Sequence, residues 1–359
     1  MILIESHTGD DHLRPVQEAL LARGHDVVVL DADDVPTRVG LTVAFEGRAR
    51  PGGAPRLLLH TPTGTVDLST CTAAWWRRPR SPRPDPAIAD VDAATFAASE
   101  CFEGLAGLRA VLPAAWVNDP VMEERANRKL WQLHVARCLG LTVPHTVATS
   151  DPAQARAFAA SMGNAGTVYK TFLAMPAAWR ETRLLRQDDM GLLDAVRHAP
   201  VIFQEYVPGD VDLRVTVVGD EVLPVAIRSA AAEYPLDYRL EADAVPMEPA
   251  VLPDVLSRLL VRLTRKLGLA YAAIDLRRRP DGEFVFFEAN PSGAWLWVQE
   301  RTGVPVTETF VSYLSDLDRG HRRPGARRAV CLPCEQNASA GTEAADPRPA
   351  DAEGAVAAS

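Results

Sequence analysis

Lysine is nearly missing from this chain: of 38 basic residues only Lys129, Lys170 and Lys266 are lysine, and the other 35 (38 − 3) are arginine. Arginine replaces lysine freely on a solvated surface, but its planar fork cannot substitute for a compact ammonium set as a point charge against a phosphate. The surviving lysines are therefore candidates for a specific task, against a general bias toward arginine. Cysteine is also sparse. The five present, Cys71, Cys101, Cys138, Cys331 and Cys334, are odd in number and thinly spread, which implies no disulfide framework. No apolar run approaches the ~20 residues that cross a bilayer, so a membrane protein is excluded. The acidic start MILIESHTGDD lacks the positive charge and hydrophobic region of a secretion signal, so a cytoplasmic chain beginning at Met1 is expected. Positive charge is outweighed, with a net −9, and this argues against nucleic acid as a partner. Neither GxxxxGK[ST] nor GxGxxG occurs, so a P-loop and a Rossmann fingerprint are both unavailable.

What is present is a chain of 359 residues, too long for one core, so two or three modules are expected, with room for a buried site. Residues 1–6, a helix over 15–23 closed by Gly24, and the apolar Val27–Leu30 read as a βαβ opening. Strand candidates follow at 57–60, 65–68 and Ala73–Trp76, then the proline-broken loop RRPRSPRPDP, a helix over about 91–108 and a short strand near Trp116. A boundary falls at residues 118–120. Asp119 caps a helix that opens with Pro120, contains Lys129 and ends at Gly140. A small α/β unit follows: a strand over 143–149, a helix from Asp151 to Gly163, and a strand over 167–172 carrying Lys170. Next come a strand over 201–207, a hairpin turning at Gly219–Asp220, and a helix lined by Leu256, Leu259, Leu260, Leu263 and Leu267. Two strands and an amphipathic segment ending near Leu317 complete the folded part. Residues beyond Gly320 hold no aromatic and little aliphatic content, so a disordered tail is expected, and the Cys331/Cys334 pair lacks the second pair of ligands a zinc site needs.

The segment LAYAAIDLRRRPDGEFVFFEANPSG reads as strand, turn, strand. A two-residue turn at Asp281–Gly282 sets Asp275 opposite Glu288, with Asn290 on the same face. Two opposed carboxylates repel, so something cationic is expected between them. Two acids and an amide are oxygen-only ligands that suit Mg2+ completed by substrate phosphates. The alternative is that one acid pairs with an arginine such as Arg277 while the other faces solvent, and a bulge would undo the register. Lys129 and Lys170 are the available point charges for phosphate, and Arg214, Arg228 and Arg239 could neutralise charge in phosphoryl transfer. In a strict hairpin Arg228 faces away from Arg214, and Pro224 makes a relieving bulge plausible. Without a Ser-His-Asp signature, His7, His12, His25 and His60 read as ordinary loop or strand-end residues rather than bases.

Together these residues resemble the ATP-grasp superfamily, and within it the ribosomal peptide maturases of the microviridin or graspetide type. The resemblance covers residues 1–317 and rests on NDPVMEERANRKLWQLHVARCLGLTVPHTVATSDP, VYKTF, FQEYVPGDVDLRVTVVGDEV and GLAYAAIDLRRRPDGEFVFFEANPSGAWLWVQERTG, with MILIESHTGDD and WWRRP as weaker support. It implies an α/β (α+β) ATP-grasp fold: a pre-ATP-grasp α/β domain over 1–118, a central subdomain over 119–205, a C-terminal subdomain over 206–319 and the tail over 320–359. By position it implies Lys129 and Lys170 as nucleotide-binding lysines, Gln204, Glu205, Tyr206 and Val207 as the adenine hinge, and Asp212 at the ribose. Arg214 and Arg228 then fall at the phosphates or acyl phosphate, and Asp275, Glu288 and Asn290 at Mg2+. Asp237, Tyr238 and Arg239 look like the family's Asp-Trp-Arg with tyrosine in place of tryptophan.

The activity implied is ATP-dependent activation of Asp or Glu side chains of a precursor peptide, followed by ring closure with Ser, Thr or Lys. The implied partners are that peptide, leader plus acidic core, and a second copy in a homodimer. Two other readings remain. A ligase of the glutamate-adding or glutathione-synthetase type uses the same nucleotide machinery on small acids, though Trp295 and Trp297 after Asn290 look more like peptide maturases. Both tryptophans could equally be core. A nucleotide-binding scaffold without chemistry is the other, and has no physical need for opposed carboxylates.

Overall fold

β1 (Ile2–Glu5) is buried along its whole length, as a strand inside a parallel sheet must be. It pairs in parallel with β2 (Val27–Leu30) and, on its other side, with β6 (Ala73–Trp76), which pairs with β7 (Ala115–Val117). The computed structural model describes residues 1–47, 54–172, 182–231 and 245–320, and these belong to one contact unit, Met1–Arg328. The expected tail, its Cys331/Cys334 pair and Asp237, Tyr238 and Arg239 lie outside the described residues. Among those described, no helix is long and apolar enough to cross a membrane.

The first parallel sheet has the order β2-β1-β6-β7. α1 (Leu13–Ala22) covers it with Leu13, Val16 and Leu20, one helical stripe, and Gly24 leaves the helix at a left-handed φ of 77°. β3 (Gly40–Ala44), β4 (Arg56–Thr61) and β5 (Gly64–Asp67) form an antiparallel meander beside it. β3 was not legible because its residues are nearly all half-buried, so polarity does not alternate along it. α2 (Val91–Val111) starts where the Asp90 carboxylate accepts the Ala93 N–H, and it anchors through Leu105 and Leu108.

Asp119 caps α3 (Pro120–Ala126) by accepting the Val121 and Met122 N–H groups. The single helix expected here is two. Gln132 Nε2 donates to the Ala126 carbonyl at 2.7 Å, taking an acceptor that a continuous helix would use, and Arg128 is extended (φ −76°, ψ 105°). α4 (Lys129–Cys138) therefore begins at Lys129, which stands at a helix start instead of inside one.

A smaller antiparallel sheet, order β10-β9-β11-β8, follows: β8 (Thr146–Thr149), β9 (Thr167–Lys170), β10 (Arg183–Leu184) and β11 (Val201–Glu205). α5 (Pro152–Met162) and a 3-10 segment, Gln187–His198, cover it over a core of Ala155, Leu193, Val196 and Phe203.

The largest sheet is antiparallel and ordered β14-β13-β12-β15-β16, from β12 (Val211–Val218), β13 (Glu221–Ile227), β14 (Met247–Pro249), β15 (Tyr271–Arg278) and β16 (Phe284–Asn290). One face, with Leu213, Val215 and Val217, packs on α4 and on the leucine stripe of α6 (Asp254–Lys266). On the other face Val218, Val225 and Ile227 share a core with Ile2, Ile4 and Trp75 of the first sheet. Phe310 and Leu314 of α8 (Val306–Asp318) and Val298 of α7 (Leu296–Thr302) complete that core. Trp295 is 1% exposed inside it, so this tryptophan is packing. The loop from Pro291 to Ala294 thus runs along a continuous apolar core joining first and last strands, which fixes the end of β16.

Candidate active site

Asp275 and Glu288 are direct register partners on neighbouring strands, with Asn290 two residues on, opposite Ala273. The pairing arises by a different route from the two-residue turn expected. Gly282, at φ 92°, closes a three-residue loop with its N–H on the Arg279 carbonyl, so strand ends near the loop are offset by one. A bulge between Asp275 and Leu276 takes up the extra residue and restores the expected partners.

The opposed acids do carry positive charge between and around them, supplied by the protein. Lys129 Nζ donates to Glu288 Oε2 at 2.7 Å from the start of α4. Arg214 Nη1 spans both Asp275 oxygens at 3.0 and 3.1 Å from β12, where it is the register partner of Asp275. Arg277 belongs to neither acid: it holds Asp212 through two 2.7 Å bonds and reaches the Val207 carbonyl at 3.2 Å. Neither acid is left to solvent, and a metal ion is not needed to explain their approach. The donor set still fits one. Asp275, Glu288 and Asn290 offer only oxygen-bearing side chains on one sheet face, the set a hard divalent cation selects.

Backbone locks hold this strand pair. Gln132, 3% exposed, donates to the Ala289 carbonyl and accepts the Ala289 N–H at 2.7 and 3.0 Å, gripping β16 between Glu288 and Asn290. Beyond Asn290 the loop carbonyls are each taken: Pro291 O by Asn118 Nδ2 at 2.9 Å, Gly293 O by Tyr271 Oη at 2.7 Å, Ala294 O by Arg214 Nη2 at 3.3 Å. Burial pushes the Tyr271 hydroxyl up to about 12, so it remains a donor. Arg77, 1% exposed, reaches Ser292 O at 2.9 Å and Gly293 O at 3.3 Å from the end of β6. Its Nε donates to Asp10 at 2.9 Å, and its Nη2 lies beside the His12 ring. His12 Nε2 accepts the Trp295 N–H at 3.0 Å, so its proton sits on Nδ1 toward Asp10; burial holds its pKa below the ordinary value. Burial also pushes the Glu123 carboxyl up to about 7, although the Ser292 hydroxyl donates to it. Asn118, Glu123, Gln132, Arg77 and His12 were not singled out from sequence; only WWRRP carried a signal for Arg77.

The other expected residues are spread along the second and third sheets. Gln204 is buried with Nε2 on Thr146 Oγ1 at 2.9 Å, the Glu205 N–H donates to His145 O, and its carboxylate meets Arg279. Tyr206 N–H bonds Gly166 O at 3.0 Å. The Val207 N–H donates to no described residue. Lys170 ends β9 opposite Ile202. Both Asp212 oxygens are held by Arg277, so a ribose would share that carboxylate with it. Arg228 is not brought to the site. β12 and β13 pair strictly through Pro224 with no bulge, which leaves Arg228 on the face opposite Arg214 and paired with Glu248, both about half exposed.

No family model matches the chain. Among solved structures it is similar to the macrocyclase MdnC of Microcystis aeruginosa MRC, bound with precursor peptide MdnA: 26% identical, TM-score 0.76, covering 88% of this chain and 99% of that one. A Chryseobacterium gregarium RiPP-associated ATP-grasp ligase, in complex with ADP and a leader and core peptide, shares the fold at 24% identity and TM-score 0.81 over 92% and 99% of the two chains. The ligase PsnB with minimal precursor, Mg and ADP gives 26%, TM-score 0.72, over 88% and 97%. A probable alpha-L-glutamate ligase of Klebsiella pneumoniae is 28% identical over 220 residues, 59% of this chain and 72% of its own length. The chain has the ATP-grasp fold and is an ATP-dependent ligase. Within that class it is similar in structure to peptide macrocyclases.

Proposed function

We propose that this ligase activates Asp or Glu side chains of a ribosomally made precursor peptide and closes them onto Ser or Thr hydroxyls or a Lys amine. The observation that carries the reading is structural likeness: the chain matches the peptide macrocyclase MdnC with a TM-score of 0.76 at 26% identity, over 99% of that chain. The likeness to the glutamate ligase is one of sequence, 28% identical over 72% of its length. That second likeness favours the alternative, joining a small acid to an amine, and the experiment below separates them.

The chemistry follows from the cluster. The γ-phosphoryl group passes to a carboxylate oxygen of the peptide, forming an acyl phosphate and ADP. A hydroxyl or amine then attacks the acyl carbon, the C–O bond to phosphate breaks, and inorganic phosphate leaves with the electron pair while the nucleophile's proton passes to solvent or phosphate. Asp275, Glu288 and Asn290 would hold Mg2+, which supplies charge neutralisation on the transferring phosphoryl oxygens. Lys129 and Arg214 now rest on those two acids. With a cation on those carboxylates, the Lys129 ammonium and the Arg214 guanidinium would be available as positive charge for the phosphates. Lys170, the Glu205–Val207 backbone, whose Val207 N–H donates to no described residue, and Asp212 would seat the nucleoside. Arg239 is proposed only by its position in the sequence, and Arg228 would have to leave Glu248 to take part.

ADP release is measured with a synthetic Thr- and Glu-rich peptide and, separately, with free glutamate and an amine. Stimulation by the peptide, with loss of one water per link by mass spectrometry, is expected. Glu288→Ala should lower that turnover at least 10³-fold without unfolding the chain. Retained turnover at ordinary magnesium, or stimulation by free glutamate alone, sinks the reading.

A further inference from the structure

The first sheet reverses its winding at β1: the chain steps to β2 on one side, and later strands β6 and β7 lie on the other. In parallel sheets the carboxyl ends of strands at such a reversal leave a crevice where ligands bind. Here β6 runs directly into Arg77 and Arg78. Arg77 is buried and fully engaged, its backbone N–H on Glu5 O at 2.9 Å and its guanidinium on Asp10 and the 292–293 carbonyls. Arg78 differs in exposure and backbone conformation. It is exposed, and it is the one non-glycine with positive φ (45°) among the described residues. That conformation crowds Cβ against the backbone and is adopted by a long side chain only where something requires it.

The conformation carries the Arg78 guanidinium to the loop that leaves Asn290. Its Nε donates to Ser292 O at 3.1 Å, two residues past the proposed metal ligand, and its Nη groups donate to no described residue. The charged groups around it are engaged with other partners. Asp10 and Arg77 neutralise each other at 2.9 Å, and His12 holds a single proton shared toward Asp10. Glu123 is the remaining acid nearby, and its oxygens face Ser292 and Asn118 rather than Arg78. Arg78 is thus an exposed, half-tethered fork of positive charge at the carboxyl end of β6, beside the strand end where phosphoryl transfer is proposed.

We propose that Arg78 receives the side-chain carboxylate of the peptide residue that is to be activated, through its two Nη groups. This rests on the peptide-ligase reading and assigns that ligase its acceptor-acid contact. A carboxylate must approach a triphosphate before it can be phosphorylated, and two anions do so only with a cation shared between them. A guanidinium pinned by Nε and open at both Nη atoms has the geometry for a two-point carboxylate contact.

The test uses full-length protein and two synthetic peptides, one Thr- and Glu-rich and its counterpart with every Glu replaced by Gln, titrated calorimetrically in the presence of MgADP. Wild type should bind the Glu peptide at least tenfold tighter than the Gln peptide. Arg78→Gly should bind both alike, while its Tm holds or rises because glycine adopts φ 45° without strain. Arg78→Lys, which keeps charge but loses the fork, should retain part of the preference. A Glu preference that survives Arg78→Gly, or is absent from wild type, overturns the assignment. MgADP binding to wild type is read in the same cell: its absence removes the ligase reading, whereas its presence with an unchanged preference removes only Arg78.

Discussion

Two clusters of charge flank the end of β16, and they are held very differently. At the junction with the first sheet, Asp10, His12 and Arg77 have side chains 4%, 7% and 1% exposed, and each makes several hydrogen bonds to fixed partners. On the sheet face, Lys129–Glu288 (23% and 17% exposed) is an ion pair nearer to solvent, and Arg214–Asp275 (8% and 15%) is a separate pair open to solvent on its Asp275 side. A charge buried with every bond satisfied cannot be moved without leaving its partner stranded. An ion pair close to water can exchange partners at small cost. The first arrangement suits a frame and the second suits a site that waits for other ions, so the difference separates what positions the chemistry from what performs it.

The comparison breaks most directly at Arg77. Arg77→Ala removes the counter-charge of the buried Asp10 carboxylate and one donor each from Ser292 O and Gly293 O, and a loss of about 3–5 kcal/mol in urea unfolding is expected. Lys129→Ala, measured the same way, should cost at most about 1 kcal/mol while abolishing nucleotide-dependent turnover. Equal stability losses would end the distinction between frame and site. Next in size is Gly293→Ala. A Cβ there would lie 2.4 Å from Ala273 Cβ and 2.8 Å from Arg214 Nη2, so something must move. Overpacking of this kind costs about 1–3 kcal/mol. Because one of the two clashes is with Arg214, turnover should fall further than stability does; an unaffected kcat would show that Arg214 need not sit where it does.

Much of the site face was legible from sequence because strand periodicity is short and strict: Asp275, Glu288 and Asn290 needed only a hairpin and a count. The count succeeded through compensation, since neither the three-residue loop nor the bulge beside Leu276 follows from residue type alone. Lys129 was visible as a rare lysine, but not its place at a helix start, which depends on Gln132 reaching back to Ala126 across a break. The frame was the least legible part. Asp10, His12, Arg77 and Trp295 are far apart in the chain and meet only when the first sheet docks against the last strands. No local pattern records such a meeting, and His12 therefore read as an ordinary loop residue. Arg228 shows the converse: the strict register was derivable, and the bulge invoked to rescue it does not exist.

Glu123 gives the smallest and most specific test of the frame, because it is a buried member whose charge can be switched without mutation. Its carboxyl titrates near 7 in the folded protein, raised chiefly by burial, against an ordinary value of 4.5. Between those values the native chain keeps a proton that the unfolded chain has lost. Stability therefore falls as pH rises from about 4.5 to about 7, and is flat in this contribution above that range, with a slope on the order of 1 kcal/mol per pH unit. His12 and Asp10 tilt the opposite way, since both are held below their ordinary values and lose stability as pH falls. The readout is thus the difference between wild type and Glu123→Gln in urea unfolding across pH 4.5–7.5. Glutamine keeps the shape and removes the titration, so wild type should lose stability relative to the variant as pH rises. Parallel curves would mean that the Ser292 hydroxyl and the nearby Arg77 and Arg78 compensate the buried charge fully, and that the frame tolerates an ionised carboxylate at its centre.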